Sequence, residues 1–138
     1  MADSFVSALG LEVEVLAPGT ARVRGTVRKE HLNSLGMAHG GYLYTLADTA
    51  FAFASNSRGV PAVAISAHME YLQSGCEGDT LEATATEAHL GFRTSVYRAE
   101  VRKGDTLLAI FTGTAYRMQP QSEIHAEEKG EKRIGIFA

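Results

Sequence analysis

The chain has a single cysteine, Cys76, so an internal disulfide is excluded and a reducing cytoplasm is the expected setting. It has no excess of basic residues. Thirteen Lys and Arg stand against 16 Asp and Glu, a formal charge of −3 with a pI near 5.9. That removes the electrostatic case for nucleic acid or an anionic membrane surface. The opening residues, MADSFVSALG, lack a basic stretch followed by a long apolar run, so no signal peptide is expected. The most apolar segment, about residues 40–57, is interrupted by Asp48 and falls well short of a membrane span. The five histidines show no metal-ligand spacing, and the chain has no HExxH, no GxSxG elbow and no glycine-rich phosphate loop. These absences predict a soluble, cytoplasmic protein without nucleic-acid or membrane partners and without a metal or redox cofactor.

What is present reads as one globular domain. The 138 residues are enough for a core, and 45 % hydrophobic with 21 % charged residues is an ordinary globular balance. Residues 3–9 suit a short amphipathic helix capped by Asp3 or Ser4, with Phe5 and Leu9 on one face. The period then changes to two. Leu11, Val13 and Val15 alternate with Glu12 and Glu14; after the turn APG, Ala21, Val23, Gly25 and Val27 alternate with Arg22, Arg24, Thr26 and Arg28. Four more strands follow the apolar segment. In the first, Val63, Ile65, Ala67 and Met69 oppose Ser66, His68 and Glu70; TLEATATEAHL, GFRTSVYRAEV and TLLAIFTGTAYRM supply the rest. The last begins almost wholly apolar, as a covered central strand does. Residues 119–138 are rich in Glu and Lys and read as a charged, flexible tail, whose closing IGIFA is apolar enough to dock. The domain is therefore placed at residues 1–118.

The stretch LNSLGMAHGGYLYTLADTAFAFA, Leu32 to Ala54, raises the functional question. Its helix, about 40–57 with Gly59 as the stop, is apolar on every side yet carries Asp48. A helix lying on a sheet needs only an apolar stripe; one that is apolar all round has to be covered all round. The order β-β-α-β-β-β-β with such a helix predicts an α+β, hot-dog architecture, a curved antiparallel sheet wrapped around a long central helix. A second subunit would cover the remaining flank.

The first amides of a helix have no intrahelical acceptor and carry the positive end of its dipole. Gly40 and Gly41 remove Cβ atoms there and let a carbonyl oxygen approach the backbone. A carboxylate in apolar surroundings, such as Asp48, is suited to attack a carbonyl directly or to activate water. From the residues alone other readings stay open. His39-Gly40-Gly41 also fits a turn that merely starts a helix, and Asp48 also fits a local bond to Thr45 or Thr49 or an arginine pair.

Asn33, His39, Gly40, Gly41 and Asp48, in HLNSLGMAHGGYLYTLADTAFAFASN, resemble the signature of the hot-dog acyl-CoA thioesterases of the phenylacetic-acid-degradation (PaaI-type) group. The stretches AVAISAHMEYLQSG, GFRTSVYRAEV and LLAIFTGTAYRM look like that family's strands, so the resemblance runs from about residue 5 to 118. It implies hydrolysis of acyl-CoA, of aryl-acetyl or medium acyl chains, with no cofactor beyond the CoA carried by the substrate. It implies the Gly40 amide as main oxyanion donor, Asp48 as base or nucleophile, and homodimers, often dimers of dimers. Asn33 and His39 are placed to supply or orient a second donor. Arg93 and Thr94 fall where the family's CoA-contacting turn lies, with Arg58 and Arg117 as weaker candidates. Some relatives set a hydroxyl on the strand after the helix; Ser66 is the candidate here, although a shift of two residues would put Ala64 in its place.

One consequence follows from geometry alone. Gly40 and Asp48 are eight residues apart, about 12 Å along a helix. A reacting carbonyl has to lie about 3 Å from both donor and nucleophile. One helix cannot serve one carbonyl with both, so the site is expected to combine Gly40 of one chain with Asp48 of another across a two-fold axis. The remaining histidines, His31, His68, His89 and His125, read as surface or strand-face residues. Tyr42, Tyr44, Phe51 and Phe53 read as core and interface. Two rivals share the fold: an acyl-thioester dehydratase or hydratase, and a non-catalytic acyl-CoA-binding regulator.

Overall fold

Alternating strands and one apolar helix build the expected order. The computed structural model describes residues 3–118. It contains α1 (Ser4–Ala8), β1 (Glu12–Ala17), β2 (Thr20–Thr26), a 3-10 turn (Lys29–His31), α2 (Gly40–Ser55), β3 (Ala62–Tyr71), β4 (Thr80–Leu90), β5 (Thr94–Lys103) and β6 (Thr106–Arg117). All pairings are antiparallel, in the order β1-β2-β4-β5-β6-β3. The sheet curves around α2, which touches all six strands. The charged segment 119–138, its apolar end and His125 lie outside the described residues.

The core forms where small side chains let helix and sheet approach. Ala47, Ala50 and Ala54 of α2 face Ala83, Ala85, Ala99 and Ala115 of the sheet, all fully buried. Phe51 fills the remaining space between Tyr97 and Phe111, with ring centroids 5.6 and 5.5 Å away. Gly113 makes that possible, since a Cβ there would stand 2.8 Å from the Phe111 ring and 3.1 Å from Phe51. At the far end of α2, Asn56 ties the helix to β3. Its amide nitrogen donates to the carbonyls of Ala52 and Ala62, and its Oδ1 accepts from the Ala62 N–H.

Three expectations need correction. In α1, Val6 is buried and Phe5 is exposed, because a five-residue helix offers one inward position and Leu9 is already its C-cap. His31 is buried rather than superficial: its ring stacks on Tyr42 at 4.3 Å and its Nδ1 accepts from the Arg28 N–H. In β3 the alternation is inverted part-way. The register with β6 slips between Ala64 and Ser66, leaving Ile65 as a bulge. Ala64, Ala67, Met69 and Tyr71 then pair with Ala115, Gly113, Phe111 and Ala109, on the side that faces α2. Val63 and Ser66 share the other face, and Val63 and Ile65 are each 39 % exposed.

Candidate active site

The segment before α2 is built to hold the helix start in place. Asn33 folds the loop: its Oδ1 accepts from the Leu35 and Met37 amides at 2.9 and 3.0 Å, and its own N–H donates to the Met37 carbonyl at 2.7 Å. Its Oδ1 is thus committed, and the donor it keeps is Nδ2. Ala38 and His39 then donate to the carbonyls of Gly75 and His31 at 2.9 and 2.8 Å. His39 is the N-cap of α2. Its Nδ1 accepts from the Gly41 N–H at 2.8 Å, which puts the neutral ring's proton on Nε2.

These bonds decide where the first amide points. The His39 carbonyl accepts from the N–H groups of Tyr42 and Leu43 at 2.9 and 3.4 Å, so it is directed into the helix. In a trans peptide the N–H points opposite to the C=O. The Gly40 N–H therefore points out of the helix end, and it has no acceptor among the described residues. The glycines divide the work that the sequence assigned to both. A Cβ on Gly41 would stand 3.0 Å from His39 Nδ1, so Gly41 leaves room for the capping ring. At Gly40 the nearest atoms a Cβ would meet are those of the Tyr71 ring, at 3.4 Å, an ordinary contact that does not demand glycine there.

Asp48 lies on the flank of α2 that the sheet leaves open, beside Tyr44, Thr45 and Ala52, which are partly covered. It is half-buried and makes no hydrogen bond or ion pair among the described residues. Thr45 Oγ1 donates instead to the Gly41 carbonyl at 2.8 Å. Burial without a compensating partner raises the Asp48 pKa above its ordinary value. Tyr44 is pushed up as well, first by burial and then by the charge of Asp48 and by Tyr71. Tyr44, Tyr71 and Asp48 thus share one electrostatic neighbourhood.

A cavity of about 260 Å³ brings Asn33 and Gly40 together with Tyr71, Gln73 and Ser74. Asp48 is not in its wall. Tyr71, Gln73 and Ser74 were not among the expected site residues; for Gln73 and Ser74 the available signal was the polar QSG directly after β3. Ser66 does not join the site within its chain, because the bulge turns it to the face away from α2 and leaves Ala64, which has no hydroxyl, on the helix side. Arg93 and Thr94 lie at the β4–β5 hairpin. There Arg93 donates to Tyr116 Oη at 3.3 Å and its guanidinium sits 5.4 Å over the Phe92 ring. Thr94 pairs with Tyr116 and Tyr116 with Val63, so this corner adjoins the start of β3, whereas Gly40 adjoins its end at Tyr71. A ten-residue strand separates them, roughly 30 Å.

Arg58 and Arg117 have structural partners. Arg117 donates to the Gly91 carbonyl at 2.8 Å and so shapes the same hairpin. Arg58 binds Glu87 through two bonds of 2.9 and 2.8 Å, and Glu87 also accepts from Tyr97 Oη at 2.8 Å. The Arg58 guanidinium, with help from Tyr97, holds the Glu87 carboxyl below its ordinary pKa against the cost of burial. Arg58→Ala leaves that carboxylate short of donors and is expected to lower stability. Urea unfolding would show the loss, while the Michaelis constant for a CoA thioester stays unchanged; a raised constant with intact stability would return Arg58 to the ligand site.

Known proteins share this sequence and fold. The family model described as Thioesterase superfamily matches residues 35–110. The acyl-coenzyme A thioesterase PaaI of Escherichia coli is 42 % identical over 117 residues, covering 84 % of each chain. A structure of a variant of the phenylacetic acid degradation protein PaaI from Thermus thermophilus superposes with a TM-score of 0.81 at 53 % identity, covering 84 % of this chain and all of that one. A hypothetical thioesterase protein of Streptococcus pneumoniae, solved with coenzyme A, gives a TM-score of 0.73 at 29 % identity over 78 % of this chain and 87 % of that one. By sequence and fold, the chain is a thioester hydrolase of the thioesterase superfamily.

Proposed function

We propose that the protein hydrolyses acyl-CoA to a carboxylic acid and free CoA at a site shared by two copies of the chain. The observation that carries this reading is a single helix whose Gly40 amide and half-buried Asp48 carboxylate both lack a hydrogen-bond partner among the described residues. They stand about 12 Å apart, too far to act on one carbonyl. The Gly40 amide of one copy receives the thioester oxygen, with Asn33 on the wall of the same cavity and the His39 ring capping the next amide, that of Gly41. Asp48 of the other copy supplies the carboxylate.

As general base, Asp48 takes a proton from water while the hydroxide adds to the carbonyl carbon. The resulting oxyanion rests on the Gly40 N–H; its collapse breaks the C–S bond, and the thiolate of CoA leaves and takes up a proton. As nucleophile, Asp48 forms a mixed anhydride with release of the thiolate, and water then hydrolyses that anhydride. Both routes place the same residue at the same point.

The edge strand β3 supports the two-copy arrangement. It has a neighbour on one side only, carries exposed Val63 and Ile65, and has no charged side chain before His68. Such an edge is suited to pair with another strand. Antiparallel pairing of two β3 strands across a two-fold axis lays the start of one against the end of the other. Arg93 and Thr94 of one copy then approach Gly40 of its partner, which gives the CoA end of the substrate a cationic wall. The acyl group in this reading is aryl-acetyl or medium-chain; the E. coli relative is named an acyl-coenzyme A thioesterase and the Thermus one a phenylacetic acid degradation protein, which supports the aryl-acetyl choice.

Thiol release from a panel of acyl-CoAs that includes phenylacetyl-CoA tests the reaction. Release of free thiol at micromolar enzyme is expected, with no hydration of enoyl-CoA. Hydration without thiol release would make the protein a hydratase, and tight CoA binding without turnover on any substrate would make it a binding protein.

A further inference from the structure

An oxyanion donor works only if it is already in place when charge develops. Gly40, with no side chain, is the residue least able to hold itself in place. The peptide that follows it is held at both ends. His39 Nδ1 accepts from the Gly41 N–H at 2.8 Å, and Tyr71 Oη donates to the Gly40 carbonyl at 3.1 Å. The Tyr71 ring also lies against the glycine, with Cε1 and Cζ 3.4 Å from the position a Cβ would take.

The hydroxyl bond is not needed to satisfy the helix. Carbonyls at the start of a helix are bonded within it; the groups left over there are N–H groups. Tyr71 is half-exposed and has water available to its hydroxyl, yet that hydroxyl reaches across to the helix. It is also the last residue of the edge strand β3.

We propose that Tyr71 is a positioning residue, which fixes the Gly40–Gly41 peptide from the carbonyl side as His39 fixes it from the amide side, and thereby aims the Gly40 N–H. The proposal rests on the hydrolysis described above for its effect on rate, but the clamp itself is a property of the free protein. Because Tyr71 ends the strand offered for pairing, the same contact ties the oxyanion donor to the edge of the dimer.

Tyr71→Phe keeps the ring against Gly40 and removes the hydroxyl. Misplacing a catalytic group by an ångström costs up to about 100-fold, and a glycine freed on one side loses part of that, so kcat is expected to fall roughly 5- to 30-fold. The Michaelis constant should stay within about twofold, since the oxyanion exists only in the transition state. A purely structural tyrosine would instead lower thermal stability and leave kcat intact, and that result overturns the proposal. Amide hydrogen exchange of the unliganded protein reads the clamp without any substrate. Exchange at Gly41, whose N–H is bonded to His39 Nδ1, is expected to quicken at least severalfold in Tyr71→Phe, while amides in the middle of α2 keep their rates. Unchanged exchange at Gly41 overturns the clamp. No thiol release from the wild type, with exchange quickened in the variant, would overturn the hydrolysis and leave the clamp standing.

Discussion

Asp48→Asn is expected to abolish most turnover and at the same time to make the protein more stable. Asparagine fills the same space but neither abstracts a proton from water nor attacks a carbonyl, so kcat should fall by a factor of about 100 or more. The stability gain follows from burial. Asp48 is half-buried with no hydrogen-bond donor among the described residues, and its pKa lies above the ordinary value of 3.8. Between the unfolded value and the raised folded one, the native state binds more protons than the unfolded chain. Stability therefore falls as pH rises through that interval, and the wild type carries the full penalty above it. Asparagine carries none. Melting temperatures should coincide for the two proteins below pH 3.8 and separate in favour of the variant towards neutrality. The same raised pKa should shift the acidic limb of the wild-type kcat/KM profile above the usual aspartate range, because the working form is the ionised one. Wild-type turnover in the variant would remove Asp48 from the chemistry; a lower melting temperature at neutral pH would give it a partner.

Gly40→Val is expected to cost about 100- to 1,000-fold in kcat, the loss that accompanies an obstructed oxyanion donor. The amide remains, but the valine methyls occupy the approach to it. Folding should survive: a Cβ at this position stands 3.4 Å from the Tyr71 ring, an ordinary packing distance, and nothing closer surrounds it. Circular dichroism and the melting temperature check the fold while thiol release checks the reaction. Activity within about threefold of wild type would show that the substrate carbonyl never approaches Gly40.

The strand order and the helix were legible because both rest on local chemistry. Period-two alternation marks β2 and β5 correctly down to the buried residues, since neither strand has an extra residue of its own: the register slips beside them fall on β1, β4 and β6. The face of β3 was not legible, because its extra residue at Ile65 exists only relative to β6 and has no signature within the strand. The same slip decided between Ser66 and Ala64. At the helix start, His39-Gly40-Gly41 was conspicuous in the sequence, but the division between a glycine that admits the His39 ring and one that frees an amide depends on a side chain turning back on its own backbone. Tyr71 was out of reach for a further reason: it meets Gly40 from 31 residues away, and nothing in its neighbours marks that contact.

The shared site is the central claim, and mixing the two inactive variants tests it. In a dimer of one Asp48→Asn chain and one Gly40→Val chain, one site combines the intact Gly40 of the first with the intact Asp48 of the second. The other site collects both substitutions. Random exchange of equal amounts makes half the dimers mixed, each with one working site of two, so thiol release should recover to about a quarter of the wild-type rate. If Gly40 and Asp48 of the same chain served one carbonyl, every site in the mixture would carry one defect. Activity after demonstrated subunit exchange would then stay at the level of the separate variants.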